Sequence, residues 1–259
     1  MKNRVLITSV GRKVSLVKEF KKVGWYVLGQ DIDPNAVALK FCDEATDYEP
    51  FAPSSNLVIP TRDAELKLGS HGCSDETIGI CTDKFKFYKW CKANGFNTPE
   101  VYFVKPRISS SGKETECVWQ ELLEGEEYSI DLFSDFSGNV ISVVPRKRVK
   151  VLSGESYITT TVSHPILIEQ SIELSSRLRL VGHNVMQTFM VNGAFLWTDV
   201  NLRFGGASIV AIKAGCKSPE WYLKLINGEK IEPCIGKYQV GLLGRSYSEW
   251  EFDENTSDM

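Results

Sequence analysis

The chain has 259 residues, enough for one large or two ordinary domains. Hydrophobic residues make up 42% and charged residues 24%, values close to those of globular proteins, which excludes global disorder. Thirty basic and thirty-three acidic residues leave a net charge of -3. Because so small a charge supplies no broad positive field, we expect neither nucleic acid nor a membrane surface as a partner.

No apolar run approaches the roughly 18 residues that a membrane-spanning helix requires, and the N-terminus lacks the cleavage pattern of a signal peptide. We therefore expect a soluble, cytoplasmic protein. The seven cysteines form an odd set without a C-x-x-C pair, which argues against a disulfide framework or a zinc knuckle.

The first forty residues have the pattern of a β-α-β unit. An apolar strand at 5–9 precedes a helix-periodic stretch at 13–23 and a second strand at 25–30. A further buried strand is predicted at 57–60, and the loop 61–65 after it would line a cleft. This part of the chain is typical of a parallel α/β domain.

The pattern changes after a predicted amphipathic helix at 83–94, which ends at Asn94-Gly95. Beyond it, alternating residues predict a mainly antiparallel sheet, with a long helix at 165–180 and shorter helices at 207–214 and 219–227. The predicted strands cover 100–104, 128–134, 140–151, 157–162, 184–191 and 195–201. The fold class is therefore α/β followed by α+β, with a boundary between residues 69 and 81.

The segment after Thr198 carries the strongest functional signal. On an extended chain Asp199, Asn201 and Arg203 point to one face. A carboxylate and an amide oxygen suit Mg²⁺, and an arginine beside them suits phosphate. The alternative interpretation is that D-x-N merely ends a strand in an Asx turn.

The hairpin turn at Asn192-Gly193 decides whether Gln187 joins this face. A two-residue loop would pair Gln187 with Thr198, whereas a three-residue loop would pair Gln187 with Asp199. We predict the three-residue loop.

Several short motifs follow one another along the chain: L-I-T-S-V-G-R (6–12), I-P-T-R-D-A-E-L (59–66), T-D-K (82–84), N-T-P (97–99), V-K-P-R (104–107), Q-E-L-L-E-G-E-E-Y (120–128), V-P-R-K-R (144–148), N-V-M-Q (184–187), D-V-N-L-R-F-G-G (199–206) and A-G (214–215). Taken in this order, they resemble the motifs of the ATP-grasp superfamily, and among its members those of the carbamoyl-phosphate-synthase large-subunit-like ligases.

The resemblance implies a role for each matched residue. Those expected to bind ATP are Lys84 and Lys105 at the phosphates, Glu121 and Leu123 at adenine, and Glu127 at ribose. Those expected to hold Mg²⁺ or Mn²⁺ are Gln187, Asp199 and Asn201. Gln187 and Asp199 are also expected to contact ATP. The catalytic cations are expected to be Arg203, which holds the transferring phosphate, and Arg148.

The resemblance also implies the domains and the reaction. A pre-ATP-grasp domain would cover 1–75 and an ATP-grasp domain 76–259, with a lid at about 98–123 and a C-terminal subdomain at about 124–245. Such proteins join a small-molecule carboxylate to an amine or a thiol through an acyl phosphate, releasing ADP and phosphate, and can form homodimers. Two departures stand out: the lid is short, and Asp199 occupies a position where the family more often has Glu.

Two other functions stay open at this point. A protein of the same fold could bind ATP without catalysis. A dinucleotide-dependent oxidoreductase would use Asp31 after the second strand, but the preceding loop has one glycine where G-x-G-x-x-G requires three. Residues that could line an acid-substrate pocket are Gly11, Arg12, Thr61, Arg62, Arg146 and Arg148. His164 and His183 are interpreted as structural.

Overall fold

The N-terminal part of the chain forms a three-stranded parallel sheet. The computed structural model describes residues 3–45, 72–108, 114–152 and 154–244. The sheet has the order β1-β2-β3, and its elements in chain order are β1 (Arg4–Thr8), α1 (Val14–Lys22), β2 (Tyr26–Gln30), a 3₁₀ turn (Val37–Phe41) and β3 (Glu44–Ala45). The predicted β-α-β unit is confirmed to within one residue at each end. The predicted strand at 57–60 and its loop lie outside the described residues.

Helix α1 forms because its apolar residues share one face. Val14, Val17 and Phe20 are buried against Trp25 and Val27 of the following strand region. The stretch ends where Gly24 takes a positive φ of 101°, which a glycine adopts at little cost. The helix therefore covers one side of the parallel sheet.

Two helices and a small hairpin connect this unit to the main sheet. They are α2 (Asp75–Cys81), α3 (Lys84–Ala93), β4 (Val101–Ile108) and β5 (Glu114–Gln120). Side-chain caps set both helix starts: Ser74 Oγ accepts from Thr77 N at 3.2 Å, and Asp83 Oδ1 accepts from Lys86 N at 2.9 Å. Helix α3 matches its prediction closely, whereas α2 and β5 were not predicted.

The main sheet has six strands in the order β10-β9-β6-β7-β8-β11, and all neighbouring pairs are antiparallel. Its strands are β6 (Glu126–Ser134), β7 (Val140–Leu152), β8 (Glu155–Thr161), β9 (Gly182–Val191), β10 (Ala194–Asn201) and β11 (Gly241–Gly244). Three helices accompany it: α4 (Pro165–Leu178), α5 (Ser208–Ala214) and α6 (Ser218–Ile226). The predicted antiparallel sheet with helices is confirmed.

The two faces of this sheet differ in chemistry. On one face Ile130, Met186 and Trp197 are buried in a core that includes Phe87 of α3 and Leu174 of α4. Pairing registers place polar and charged side chains of β6, β7 and β9 on the other face. No helix in the described part of the chain is long and apolar enough to span a membrane.

Candidate active site

Strand β10 brings two of the predicted site residues together at its end. Asn201 Nδ2 donates to Asp199 Oδ2 at 3.0 Å, so both side chains lie on one face. Val200 between them points away and is 2% exposed. Arg203 follows the strand, and its Nη1 donates to the backbone oxygen of Phe204 at 3.1 Å.

The turn that precedes β10 differs from its prediction. Val191 pairs with Ala194, so the loop has two residues, Asn192 and Gly193, with φ of 50° and 81°. The predicted three-residue loop is therefore wrong, because two positive φ values in an Asn-Gly pair match the turn whose twist suits a hairpin.

Gln187 and Asp199 nevertheless form the predicted pair. The register shifts between Trp197 and Asp199, which leaves Thr198 as a bulge. Gln187 therefore pairs with Asp199 as predicted, but through a bulge in the strand instead of an extra residue in the turn.

Gln187 connects the end of β10 to the middle of the sheet. Its amide is best oriented with the nitrogen donating to Asp199 Oδ2 at 3.3 Å and the oxygen accepting from Arg148 Nη1 at 3.1 Å. Asp199 thus accepts from two amides, those of Gln187 and Asn201.

Arg148 is bound by the protein at all three of its nitrogens. Its Nη1 forms an ion pair with Glu127, its Nε donates to Ser156 Oγ at 2.9 Å, and its Nη2 donates to the oxygen of Gly154 at 2.6 Å. Glu127, Arg148 and Gln187 therefore form a continuous network across β6, β7 and β9.

Burial and the neighbouring groups act on the ionisation of Asp199 in opposite directions. Burial raises the pKa of Asp199, and the positive charge of Lys84, the first residue of α3, opposes that rise most strongly. The hydrogen bond from Asn201 and the charge of Arg203 act in the same direction as Lys84. Lys84 and Arg203 thus both act on this carboxylate.

The loop after β1 adds a residue that the sequence analysis missed. Lys13 Nζ donates to the oxygen of Ser9 at 2.9 Å, and burial, followed by the nearby charge of Arg203, lowers the pKa of Lys13. Gly11 N donates to Asp31 Oδ2 at 2.7 Å, so Asp31 supports this loop. Lys13 had no motif to mark it, because only the packing of the loop brings it near Arg203.

Three other predicted residues lie on β4 and in the connection between β5 and β6. Glu121 is exposed and its N donates to the oxygen of Glu100 at 2.9 Å, while Leu123 is half-buried in the connection to β6. Gly125 follows, where a Cβ would lie 2.3 Å from the oxygen of Met190. Lys105 lies on β4 opposite Cys117.

The residues predicted to line the substrate pocket differ in their exposure to solvent. Arg12 forms an exposed ion pair with Glu155 at 4.0 Å, whereas Arg146 is buried, with Nε donating to Asp131 Oδ2 at 2.6 Å. Thr61 and Arg62 lie outside the described residues.

The donor set suits a hard cation that retains water. Within the described ranges, no group of three or more His, Cys, Asp or Glu side chains could hold a metal ion. One carboxylate with two amides, as at Asp199, fits Mg²⁺ or Mn²⁺ only when waters or phosphate oxygens complete the coordination. Both amides now direct nitrogen toward Asp199, so a cation requires them to rotate and present oxygen.

The two-part fold is that of the ATP-grasp superfamily, and a family model of ATP-grasp proteins matches the chain. The family model that matches, over residues 113–241, is described as ATP-grasp in the biosynthetic pathway with Ter operon. A comparison with curated proteins finds no match.

Several solved structures are similar to this chain. Pyruvate carboxylase from Rhizobium etli has a TM-score of 0.70 at 12% identity, covering 93% of this chain and 30% of that one. The biotin carboxylase-β,γ-ATP complex from Campylobacter jejuni has 0.67 at 13% identity, covering 93% and 74%. N5-carboxyaminoimidazole ribonucleotide synthetase from Thermotoga maritima has 0.61 at 17% identity, covering 90% and 77%. At such identities the likeness shows the fold.

Proposed function

We propose that this protein is an ATP-dependent ligase that joins a small-molecule carboxylate to an amine and releases ADP and phosphate. The observation that carries the proposal is the single network on the polar face of the sheet, from Glu127 through Arg148 and Gln187 to Asp199 and Asn201. The match to a family model of ATP-grasp proteins supports it. A carboxylate-thiol ligation uses the same first step, and a homodimer stays a prediction.

The proposed division of roles follows from charge. Asp199 and Asn201 would hold Mg²⁺ or Mn²⁺, while Lys84 and Arg203 supply positive charge near the same carboxylate. A bound Mg-ATP supplies the phosphoryl group that activates the acid. Because this chemistry depends on positioning and charge neutralisation, the chain needs no nucleophile of its own.

Arg148 has a more specific role in this proposal than a free catalytic cation. Its three nitrogens are engaged by the protein, so we propose that it holds Gln187 and Glu127 in place for the metal and the ribose. Glu121, Leu123 and Lys105 stay proposed contacts to adenine and phosphate, through the β5–β6 connection and β4.

The test is a release assay with purified protein, Mg-ATP and a panel of carboxylates against a panel of amines. ADP and phosphate appearing only when both partners are present is the expected result. Release of AMP and pyrophosphate would contradict the acyl-phosphate route. Calorimetric binding of Mg-ATP without turnover across the panel would favour a non-catalytic ATP-binding protein.

The Asp199→Asn variant tests the assigned metal ligand. We expect ADP release to fall by about 100-fold or more, because loss of a charge that acts in the transition state typically costs this much. Asp199→Glu retains the charge and should keep more activity than Asp199→Asn.

Folding is the necessary control for that comparison. The melting temperature of Asp199→Asn should stay close to that of the parent, since removing a carboxylate whose pKa burial raises relieves an unfavourable charge. Glu169→Gln, which removes an exposed charge from α4, should leave turnover unchanged. Full activity in Asp199→Asn would remove the assigned role.

A further inference from the structure

A buried polar cluster lies on the same face of the sheet as this network, at the opposite end of β9 from the hairpin turn. Its centre is Asp131 of β6, which is fully buried and accepts from Arg146 Nε at 2.6 Å and from His183 Nε2 at 3.0 Å. The hydroxyl of Ser208 is a third donor to Asp131. Burial opposes ionisation, but Arg146 and His183 outweigh it, so the pKa of Asp131 lies well below its usual range.

His183 connects this cluster to the segment that follows the metal-ligand strand. Its ring stacks on Phe204, with centroids 4.1 Å apart and planes at 14°. Its Nδ1 is hydrogen-bonded to Ser218 Oγ at 2.7 Å, and Nε2 lies 3.3 Å from Ser208 Oγ. With its side chain fully buried, His183 contacts β6, the β10–α5 loop and α6 at once.

The β10–α5 loop is held at both ends by these contacts. Phe204 is adjacent to Arg203, and its backbone oxygen accepts from the Arg203 guanidinium. Gly205 N donates to Ser208 Oγ at 2.8 Å, and Ser208 in turn reaches His183. The orientation of Arg203 therefore depends on a segment in which the Phe204 ring and the Ser208 hydroxyl both contact the His183 imidazole.

We propose that His183 is a positioning residue: by stacking on Phe204 and bonding the Asp131–Ser208 pair, it fixes the direction of the Arg203 guanidinium toward the transferring phosphate. This rests on the proposed function. It changes the interpretation of His183 as a structural histidine, since it assigns the residue an effect on turnover that exceeds its effect on stability.

The first test measures turnover in His183→Asn and Phe204→Leu, with the acid and amine that the release assay identifies. We expect kcat to fall by about 10- to 100-fold in each, while KM for ATP changes by less than about threefold, because the network around Asp199 is untouched. In an Arg203→Ala background, His183→Asn should lower kcat by less than about twofold. If His183→Asn lowers kcat by the same factor with and without Arg203, the proposal is overturned, since His183 would then act independently of Arg203.

The matched control is Leu174→Ala, which removes a buried side chain from the opposite face of the sheet. It should lower the melting temperature at least as much as His183→Asn does and leave kcat unchanged. Equal kcat losses in both variants would reduce His183 to a stabilising residue and overturn the proposal. Phe204→Tyr keeps the stacked ring and should retain most of the turnover; if His183→Asn fails to fold, Phe204→Leu and Phe204→Tyr carry the comparison.

A readout without turnover separates this proposal from the proposed function. Amide hydrogen exchange in His183→Asn should increase across residues 203–208 and stay unchanged in β6 and β9 away from position 183. If the parent releases no ADP with any substrate, the proposed ligase function is contradicted. Faster exchange across 203–208 in His183→Asn would then still support the contact between His183 and the loop. If the parent is active and exchange across 203–208 is unchanged in His183→Asn, the positioning role is overturned and the proposed function is not.

Discussion

At the scale of single residues, Asp131 shows how a charge is accommodated in the interior. Removing a carboxylate from water costs free energy, and removing one partner of a buried ion pair leaves the other charge uncompensated. Here three donors from three elements converge on Asp131, including Arg146 at 2.6 Å. The Arg146 Nη1 atom has no hydrogen-bond partner in the described structure, so this cation depends heavily on Asp131.

This arrangement predicts a pH dependence of stability. Because the pKa of Asp131 is lower in the folded than in the unfolded chain, its stabilising effect is complete above the unfolded pKa, near 4, and is lost as the pH falls through the lower folded pKa. Asp131→Asn should lower the free energy of unfolding by about 3–5 kcal/mol at pH 7. The difference from the parent should narrow between pH 5 and pH 2 in urea titrations.

Glu169→Gln is the comparison for that titration, since Glu169 is exposed on α4. Its unfolding free energy should follow the parent at every pH. A gap between Asp131→Asn and the parent that stayed constant with pH would show that the carboxylate is not the group responsible.

At the scale of elements, the β9–β10 hairpin aligns the site with two local devices. The Asn192-Gly193 turn has positive φ at both residues, and the bulge at Thr198 then moves Asp199 by one position to face Gln187. Without the bulge, a two-residue turn would place Thr198 opposite Gln187 and direct Asp199 to the other face.

Two glycine substitutions test the conformational part of this account. Gly193→Ala should destabilise the protein by about 1 kcal/mol, because φ of 81° disfavours a side chain although the space around the Cβ is open. Gly79→Ala, in helix α2 with equally open space and no positive φ, should stabilise it by roughly 0.5–1 kcal/mol. Equal shifts in urea unfolding would contradict the effect assigned to the positive φ, since neither added Cβ meets a neighbouring atom.

At the scale of the whole molecule, the parallel unit packs on the helices of the main sheet. Trp25 Nε1 donates to the oxygen of Pro219 at 2.9 Å, and the rings of Phe20 and Phe204 meet edge to face at 5.8 Å. This contact places the loop with Lys13 beside Arg203. The division at residue 75 stays a prediction.

Trp25→Phe tests this packing. The substitution removes the indole N–H and leaves the Pro219 oxygen without its partner, which should lower the free energy of unfolding by about 1–2 kcal/mol. Trp119→Phe is the matched change at a side chain that is 64% exposed, and it should shift stability by less than about 0.5 kcal/mol. Similar losses in both variants would indicate that the Trp25 hydrogen bond contributes little.

The elements that can be predicted from the amino-acid sequence are those whose evidence is local. Periodicity predicted α1, α3 and α4, and alternation predicted the antiparallel sheet, because burial of one face acts on residues close in the chain. The spacing of Asp199 and Asn201 likewise predicted a shared face, which the hydrogen bond between them confirms. Short elements such as α2 and β5 were missed, since few residues carry too little pattern.

Features that depend on residues far apart in the chain become visible in the folded structure alone. The bulge at Thr198 follows from how β10 pairs with β9, and no spacing in the sequence reports it. The approach of Lys13 to Arg203, and the contacts that His183 makes with Asp131 and Phe204, join segments far apart in the chain. Such contacts form because buried charges and rings require partners, and which partner is within reach is set by packing.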